Sequence, residues 1–308
     1  MQTILSVVAP VFIIIALGYL AATRNMISVA GFRGLNSFTF NLAAPALLFA
    51  GGTAGHEGGG LAAFVFFLAA LILYAVTLWL ARGVLRQPLG EAGLFALNCT
   101  YGNTVMMGIP LIAAAYGQAG LSILLAILAL HSMVLLGLAT IVAELGIHHR
   151  APWRRVLRAT VTGVARNPVV MAVILALLWR QAGIAIPDFL RRTLELLGAA
   201  TSPVALFCLG GSLAGFRAAR LADVAWAVPL KLLALPALVW LLARWFALPP
   251  FDTAVAVTAA ALPTGANAFL LARRYETAAA PSGATVLVST LLSVLTLAAT
   301  LAWFGAGG

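Results

Sequence analysis

From Leu61 to Ala81 the chain runs 21 residues without one charged side chain, and stretches of the same kind recur along its length. About 20 apolar residues are what one helix needs to cross the hydrocarbon core of a bilayer. In lipid every backbone N–H and C=O must be satisfied within the chain, so only helices and closed barrels span, and apolar runs this long are helical. Composition agrees: of 308 residues 8% are charged and 63% hydrophobic, with a mean hydropathy of +1.07. An ordinary globular domain is about a quarter charged. A water-facing shell is thereby excluded, and an all-α, polytopic membrane protein is expected. The cysteines, Cys99 and Cys208, both sit in apolar stretches and make neither a disulfide framework nor a metal site. The net charge of +10 is almost wholly arginine placed between apolar runs, so it reports orientation and not a nucleic acid partner. No cleavable signal peptide is expected, because the first arginine, Arg24, follows the first apolar run.

Ten spans are read at 3–22, 35–50, 61–82, 91–115, 119–145, 168–184, 194–214, 224–247, 251–273 and 282–304. The basic residues test that number. Loops opening on one side hold 13 of the 18, five of them (Arg150, Arg154, Arg155, Arg158 and Arg166) in the connection 147–167. The other side holds Arg180, Arg191, Arg192 and Arg244. This asymmetry puts the first side in the cytoplasm of an inner-membrane protein and both termini on the opposite side. The 147–167 connection is then a basic cytoplasmic linker, either solvated or lying on the lipid surface beside Trp153.

The linker separates two halves, 1–146 and 168–308, that repeat one another. Pro10 opening Val-Phe-Ile-Ile-Ile-Ala-Leu answers Pro168 opening Val-Val-Met-Ala-Val-Ile-Leu, and Pro45 answers Pro203, both at an offset of 158. Leu80-Ala81-Arg82 with Pro88 answers Leu242-Ala243-Arg244 with Pro250 at an offset of 162. Five spans per half is an odd number, so the second half enters the membrane upside down. Inverted repeats are the signature of secondary transporters, with substrate near the midplane where the halves meet.

Two spans are interrupted at membrane depth. The fourth contains Asn98-Cys99-Thr100-Tyr101-Gly102-Asn103-Thr104-Val105-Met106-Met107-Gly108-Ile109-Pro110, and the ninth Leu262-Pro263-Thr264-Gly265-Ala266-Asn267. At the 162 offset Tyr101 falls on Pro263 and Asn103 on Gly265, so the breaks occupy matching positions. Irregular backbone at that depth is viable only where it is buried in protein or lines a wet cavity. Each half-helix start exposes N–H groups carrying partial positive charge, which favours an anion. Asn98, Asn103, Thr104, Thr264 and Asn267 add neutral donors, and neither break holds an acid, which argues against a cationic substrate. The competing account is that these side chains only satisfy backbone freed by a kink.

Asn103-Thr-Val-Met-Met-Gly-Ile-Pro-Leu, followed by Tyr116-Gly117, resembles the fourth-helix motif of the auxin efflux carrier family. Ala261-Leu-Pro-Thr with Phe269 and Tyr275 is similar to its ninth-helix crossover, and Arg166-Asn167-Pro168 to its entry into helix 6. The family includes plant auxin carriers and bacterial permeases associated with malonate and malate. The resemblance spans both halves and implies the fold shared with bile-acid/sodium symporters, in which helices 4 and 9 cross at unwound centres. It further implies a scaffold of helices 1, 2, 6 and 7, a mobile transport unit of helices 3–5 and 8–10, elevator-type alternating access, and a homodimer. Carried over by motif, Asn103 binds carboxylate, Pro263 marks the second unwound point and Asn167 offers a polar group from the scaffold or simply caps a helix. Gly102 stands where the plant proteins have proline, and the linker is far shorter than theirs, so plant-type auxin specificity is not carried over.

Remaining polar residues within spans have two readings each. Lys231 attracts the anion or carries a coupling proton, or it snorkels to the interface. His131 relays protons, or packs as a neutral, hydrogen-bonded ring. Asn41 with Pro45, and Ser202 with Pro203, line kinks of helices 2 and 7 that either gate the substrate path or pack helices, and Pro110 in the fourth span is a further kink or gate residue. The sequence thus supports a secondary carrier, embedded in lipid, of a small carboxylate such as malonate, malate or an auxin-like acid, with no cofactor. The rivals are an intramembrane enzyme, for which no His-Glu-x-x-His or Gly-x-Ser-x-Gly motif is present, and a ligand-binding channel or sensor.

Overall fold

The computed structural model describes residues 2–53, 59–147, 168–214 and 221–305, and every regular element among them is helical. The first half opens with α1 (Gln2–Thr23), α2 (Val29–Phe38), α3 (Ala44–Thr53) and α4 (Gly60–Gly83), and continues with α5 (Leu89–Thr100), α6 (Ile109–His131) and α7 (Gly137–Ile147). The second opens with α8 (Pro168–Gln181), α9 (Asp188–Ala199), α10 (Thr201–Leu213) and α11 (Leu221–Pro229), and continues with α12 (Leu235–Trp245), α13 (Pro250–Ala261), α14 (Ala266–Arg274) and α15 (Ala279–Trp303). Among the described residues, five stretches are long and apolar enough to cross a membrane: Gly60–Gly83, Thr104–Leu128, Asp188–Gly211, Ala222–Trp245 and Ala279–Trp303.

Local chemistry sets the boundaries. Ser28 caps α2 by accepting the Gly31 N–H at 3.1 Å. Pro88 and Pro249 stand immediately before α5 and α13, where a missing N–H costs nothing. Gly117 lies inside α6 with φ 63° and ψ −156°, so the helix is broken there, between the fourth and fifth spans of the sequence reading. The seventh span starts earlier than hydropathy suggests, at Asp188 and not 194. Its first turns, Asp-Phe-Leu-Arg-Arg-Thr-Leu-Glu, are amphipathic, and a window that averages apolarity loses them. Likewise helix begins at Val29 ahead of the run read from 35.

Among the described residues, four single turns of π-helix interrupt the α-helical ladder, at Thr39–Ala43, Thr104–Gly108, Ser132–Leu136 and Leu230–Ala234. Each contains or directly follows a polar residue marked in the sequence: Asn41, Asn103, His131 and Lys231. Such bulges re-aim side chains and concentrate at functional sites.

Packing falls into two groups of helices. In one, α1 lies along α10, and α3 against α8 and α9. Glycine permits the first contact: a Cβ on Gly210 would land on the carbonyl of Ile15, and one on Gly18 on that of Phe207. Close backbone approach through small residues is how membrane helices associate when lipid is as apolar as leucine. In the other group α4, α5, α6, α12 and α13 enclose a continuous apolar core that includes Phe66, Tyr74, Leu97, Leu124, Leu235 and Val255. Both breaks lie where the two groups meet: Met107 and Leu262 share a buried apolar cluster with Ile15 of α1 and with Leu206 and Leu209 of α10.

Candidate functional site

The α-helical ladder stops after Thr100 and again after Ala261. Tyr101 is extended (φ −80°, ψ 114°), as is Leu262 (φ −57°, ψ 144°). The two unwound segments meet as an antiparallel bridge between Gly102 and Thr264. Asn103 N donates to Pro263 O at 2.8 Å and Gly265 N to Tyr101 O at 3.0 Å. Each break therefore satisfies the backbone groups the other has freed, which answers the demand that no polar backbone be left open in lipid. Glycine is required at 265, where a Cβ would press on the Tyr101 ring and the Gly102 carbonyl.

Side chains complete the junction. Thr264 Oγ1 donates to Asn98 O at 2.8 Å, and Thr264 N donates to Ser289 Oγ at 3.1 Å. Asn98 Nδ2 donates to Ser282 Oγ at 2.9 Å. Gly102 N donates to His131 Nε2 at 3.4 Å, and the His131 ring lies tilted by 34° over that of Tyr101 with centroids 4.3 Å apart. Asn267 Nδ2 donates to the Tyr101 hydroxyl at 3.0 Å.

In front of the bridge is a cavity of about 70 Å³, lined by Phe40, Tyr101–Met106 and Gly265–Asn267. Thr104–Met106 and Ala266–Asn267 are the first residues of the two onward helices, so the cavity faces two helix starts, whose leading N–H groups have no intrahelical partner. No acidic side chain lines it. Asn103 is 5% exposed, and its Nδ2 has no partner. A buried donor left unmet costs about 1–3 kcal/mol, and an acceptor entering the cavity would remove that cost. A much larger apolar cleft of about 640 Å³, walled by Leu232, Trp240 and Trp303 among others, contains none of the break residues.

The sequence-predicted residues divide as follows. Asn103, Thr104 and Asn267 line the cavity. Asn98, Pro263 and Thr264 stand behind it and build the junction. Pro110 is buried in the first turn of α6. His131 accepts from the Gly102 amide, and Thr104 Oγ1 lies 3.5 Å from its other ring nitrogen. Lys231 does not snorkel: it is 0% exposed, with Nζ 2.6 Å from Ala260 O. Asn41 is exposed and donates to Ser37 on its own helix, Pro45 is half-buried and Pro203 exposed. Asn167 lies outside the described residues, as does the Ser202 side chain. Sequence reasoning gave no role to Tyr101, Phe40, Ser282 or Ser289. The serines had a signal, since Ser282, Thr285, Ser289 and Ser293 recur at three- and four-residue steps and mark one buried polar face of α15.

The family described as "Membrane transport protein" matches residues 3–301. A Rhizobium meliloti (strain 1021) protein named "Putative malonate transporter" is 28% identical, over 96% of this chain and 94% of its own. An Escherichia coli (strain K12) protein named "Uncharacterized transporter YfdV" is 24% identical over 93% of both chains.

Proposed function

The chain belongs to the membrane transport protein family, that of the auxin efflux carriers suggested by the fourth-span motif, and from that premise we propose that it is a secondary active carrier of a small organic anion, a carboxylate such as malonate or malate. The family and the names of the relatives are those of transporters and not of enzymes. The observation that carries the substrate class is the unpartnered Asn103 Nδ2 in an acid-free cavity faced by two helix starts. A carboxylate there meets an amide donor and two partially positive helix ends.

The architecture in this reading is ten spans in two inverted repeats, with the fourth and ninth crossing at their breaks. Its support is the bridged pair itself: Gly102 and Thr264 are 162 residues apart, the offset that aligns Leu80-Ala81-Arg82 with Leu242-Ala243-Arg244. Residues related by an internal two-fold axis meet each other on that axis, as in an isologous contact. The packing of α1 with α10 and of α3 with α8 supports a scaffold built from those helices. At about 70 Å³ the cavity is smaller than ligand pockets of roughly 300–1,000 Å³, so admitting substrate takes relative motion, as an elevator supplies. The inner membrane, outward termini and a homodimer through the scaffold complete the proposal.

The test is malonate binding to purified protein, followed by thermal shift and calorimetry. Wild type is stabilised by malonate, and Asn103→Ala remains folded while its affinity falls roughly ten- to hundred-fold, the worth of one hydrogen bond to a charged group. Unchanged affinity in that variant removes the site.

A further inference from the structure

Lys231 sits in the π turn 230–234, fully buried, and its Nζ donates to Ala260 O in the last turn of α13, just before the break. A Cβ on Gly102 would stand 3.7 Å from the same Nζ. The ammonium is therefore wedged between the carbonyl end of one half-helix and the unwound segment of the other. No carboxylate among the described residues pairs with it.

The first half shows what this carbonyl needs. Asn98 stands 162 residues before Ala260, at the equivalent place near the end of α5, and its carbonyl is capped by the Thr264 hydroxyl. The counterpart of Thr264 is Gly102, which has no hydroxyl to offer Ala260. The counterpart of Lys231 is Ala69, buried in α4. A neutral hydroxyl suffices at one carbonyl, so what the lysine adds at the other is charge. Helix carbonyl ends carry partial negative charge, and in secondary carriers such half-helix ends coordinate the coupling cation. The geometry points to Lys231 as a tethered cation that fills this position and balances the bound anion without an ion drawn from solution. The inference rests on the carrier reading above.

Purified full-length protein in proteoliposomes, exchanging labelled malonate with sodium, potassium or choline as the only added cation, provides the test. Wild-type exchange proceeds at one rate in all three; exchange that needs sodium overturns the tethered cation. The double variant Lys231→Met with Gly102→Thr removes the charge while returning a hydroxyl to Ala260. It keeps the wild-type melting temperature and loses exchange by at least about tenfold, the scale of one charge acting over a few ångströms at a partly buried site. Exchange at the wild-type rate in that variant overturns the proposal. A readout independent of substrate uses Lys231→Ala: methylammonium raises the melting temperature of the variant and not of wild type, and no shift in the variant counts against a cation position. A methylammonium shift with no wild-type exchange under any cation supports the cation position and falls on the carrier reading alone.

Discussion

A carbonyl at the end of a helix in lipid has no water to turn to, so the hydroxyl that Thr264 brings to Asn98 is structural as well as local. Thr264→Val keeps the shape and removes the donor. It is expected to cost about 1–3 kcal/mol of stability, the penalty for a buried acceptor left unmet, with Thr264→Ser close to wild type. Thermal unfolding in detergent measures both, and equal melting temperatures for wild type and the valine variant would contradict the cap. The same scale explains what was legible in the sequence. Asn103, Thr264 and Asn267 stood out because polar groups beside Gly and Pro in an apolar run demand a reason. Lys231 was ambiguous because its four-carbon stem allows both burial and escape to the interface, and only the Ala260 contact decides between them. Tyr101 is hidden in the sequence since an aromatic in a span is ordinary; its contacts with His131 and Asn267 come from elements 30 and 166 residues away.

Among the helices, glycine is the residue whose replacement best separates packing from propensity. Gly210 has the Ile15 backbone directly over it, whereas Gly34, in α2, has open space where a Cβ would stand. Gly210→Val is expected to lower the melting temperature strongly, by overpacking that costs about 1–3 kcal/mol or more, since a backbone cannot rotate aside. Gly34→Ala is expected to be neutral or stabilising by up to about 1 kcal/mol, the helix propensity difference. A stable Gly210→Val protein would mean that α1 and α10 do not pack as described. Apolar runs were legible as helices, the span 61–82 almost to the residue, because lipid leaves the backbone no alternative. The π turns were not: Leu-Lys-Leu-Leu-Ala fits an α-helix equally well, and tertiary contacts decide the extra residue. Nor was the amphipathic start of α9, whose charged residues hydropathy discounts.

Across the whole molecule, the proposed ten-span topology makes a prediction about sides. In a Cys99→Ala, Cys208→Ala background, Met26→Cys lies in a loop read as cytoplasmic and Ala185→Cys in one read as external, both exposed. A membrane-impermeant maleimide added to intact cells should label position 185 and spare 26, with the pattern reversed in inside-out vesicles. Labelling of both from one side would undo the arginine argument and the inversion of the halves together. The unlike caps on Asn98 and Ala260 carry a consequence for the chain's ancestry. A chain made of two first halves would have glycine at both crossing points and no donor for either carbonyl. One made of two second halves would crowd two threonines and two lysines around a single junction. Both donors now come from the second half, while the first contributes only the small residues Ala69 and Gly102 at the matching places, so if the halves began as duplicates they have diverged into unlike parts, and neither can stand in for its partner.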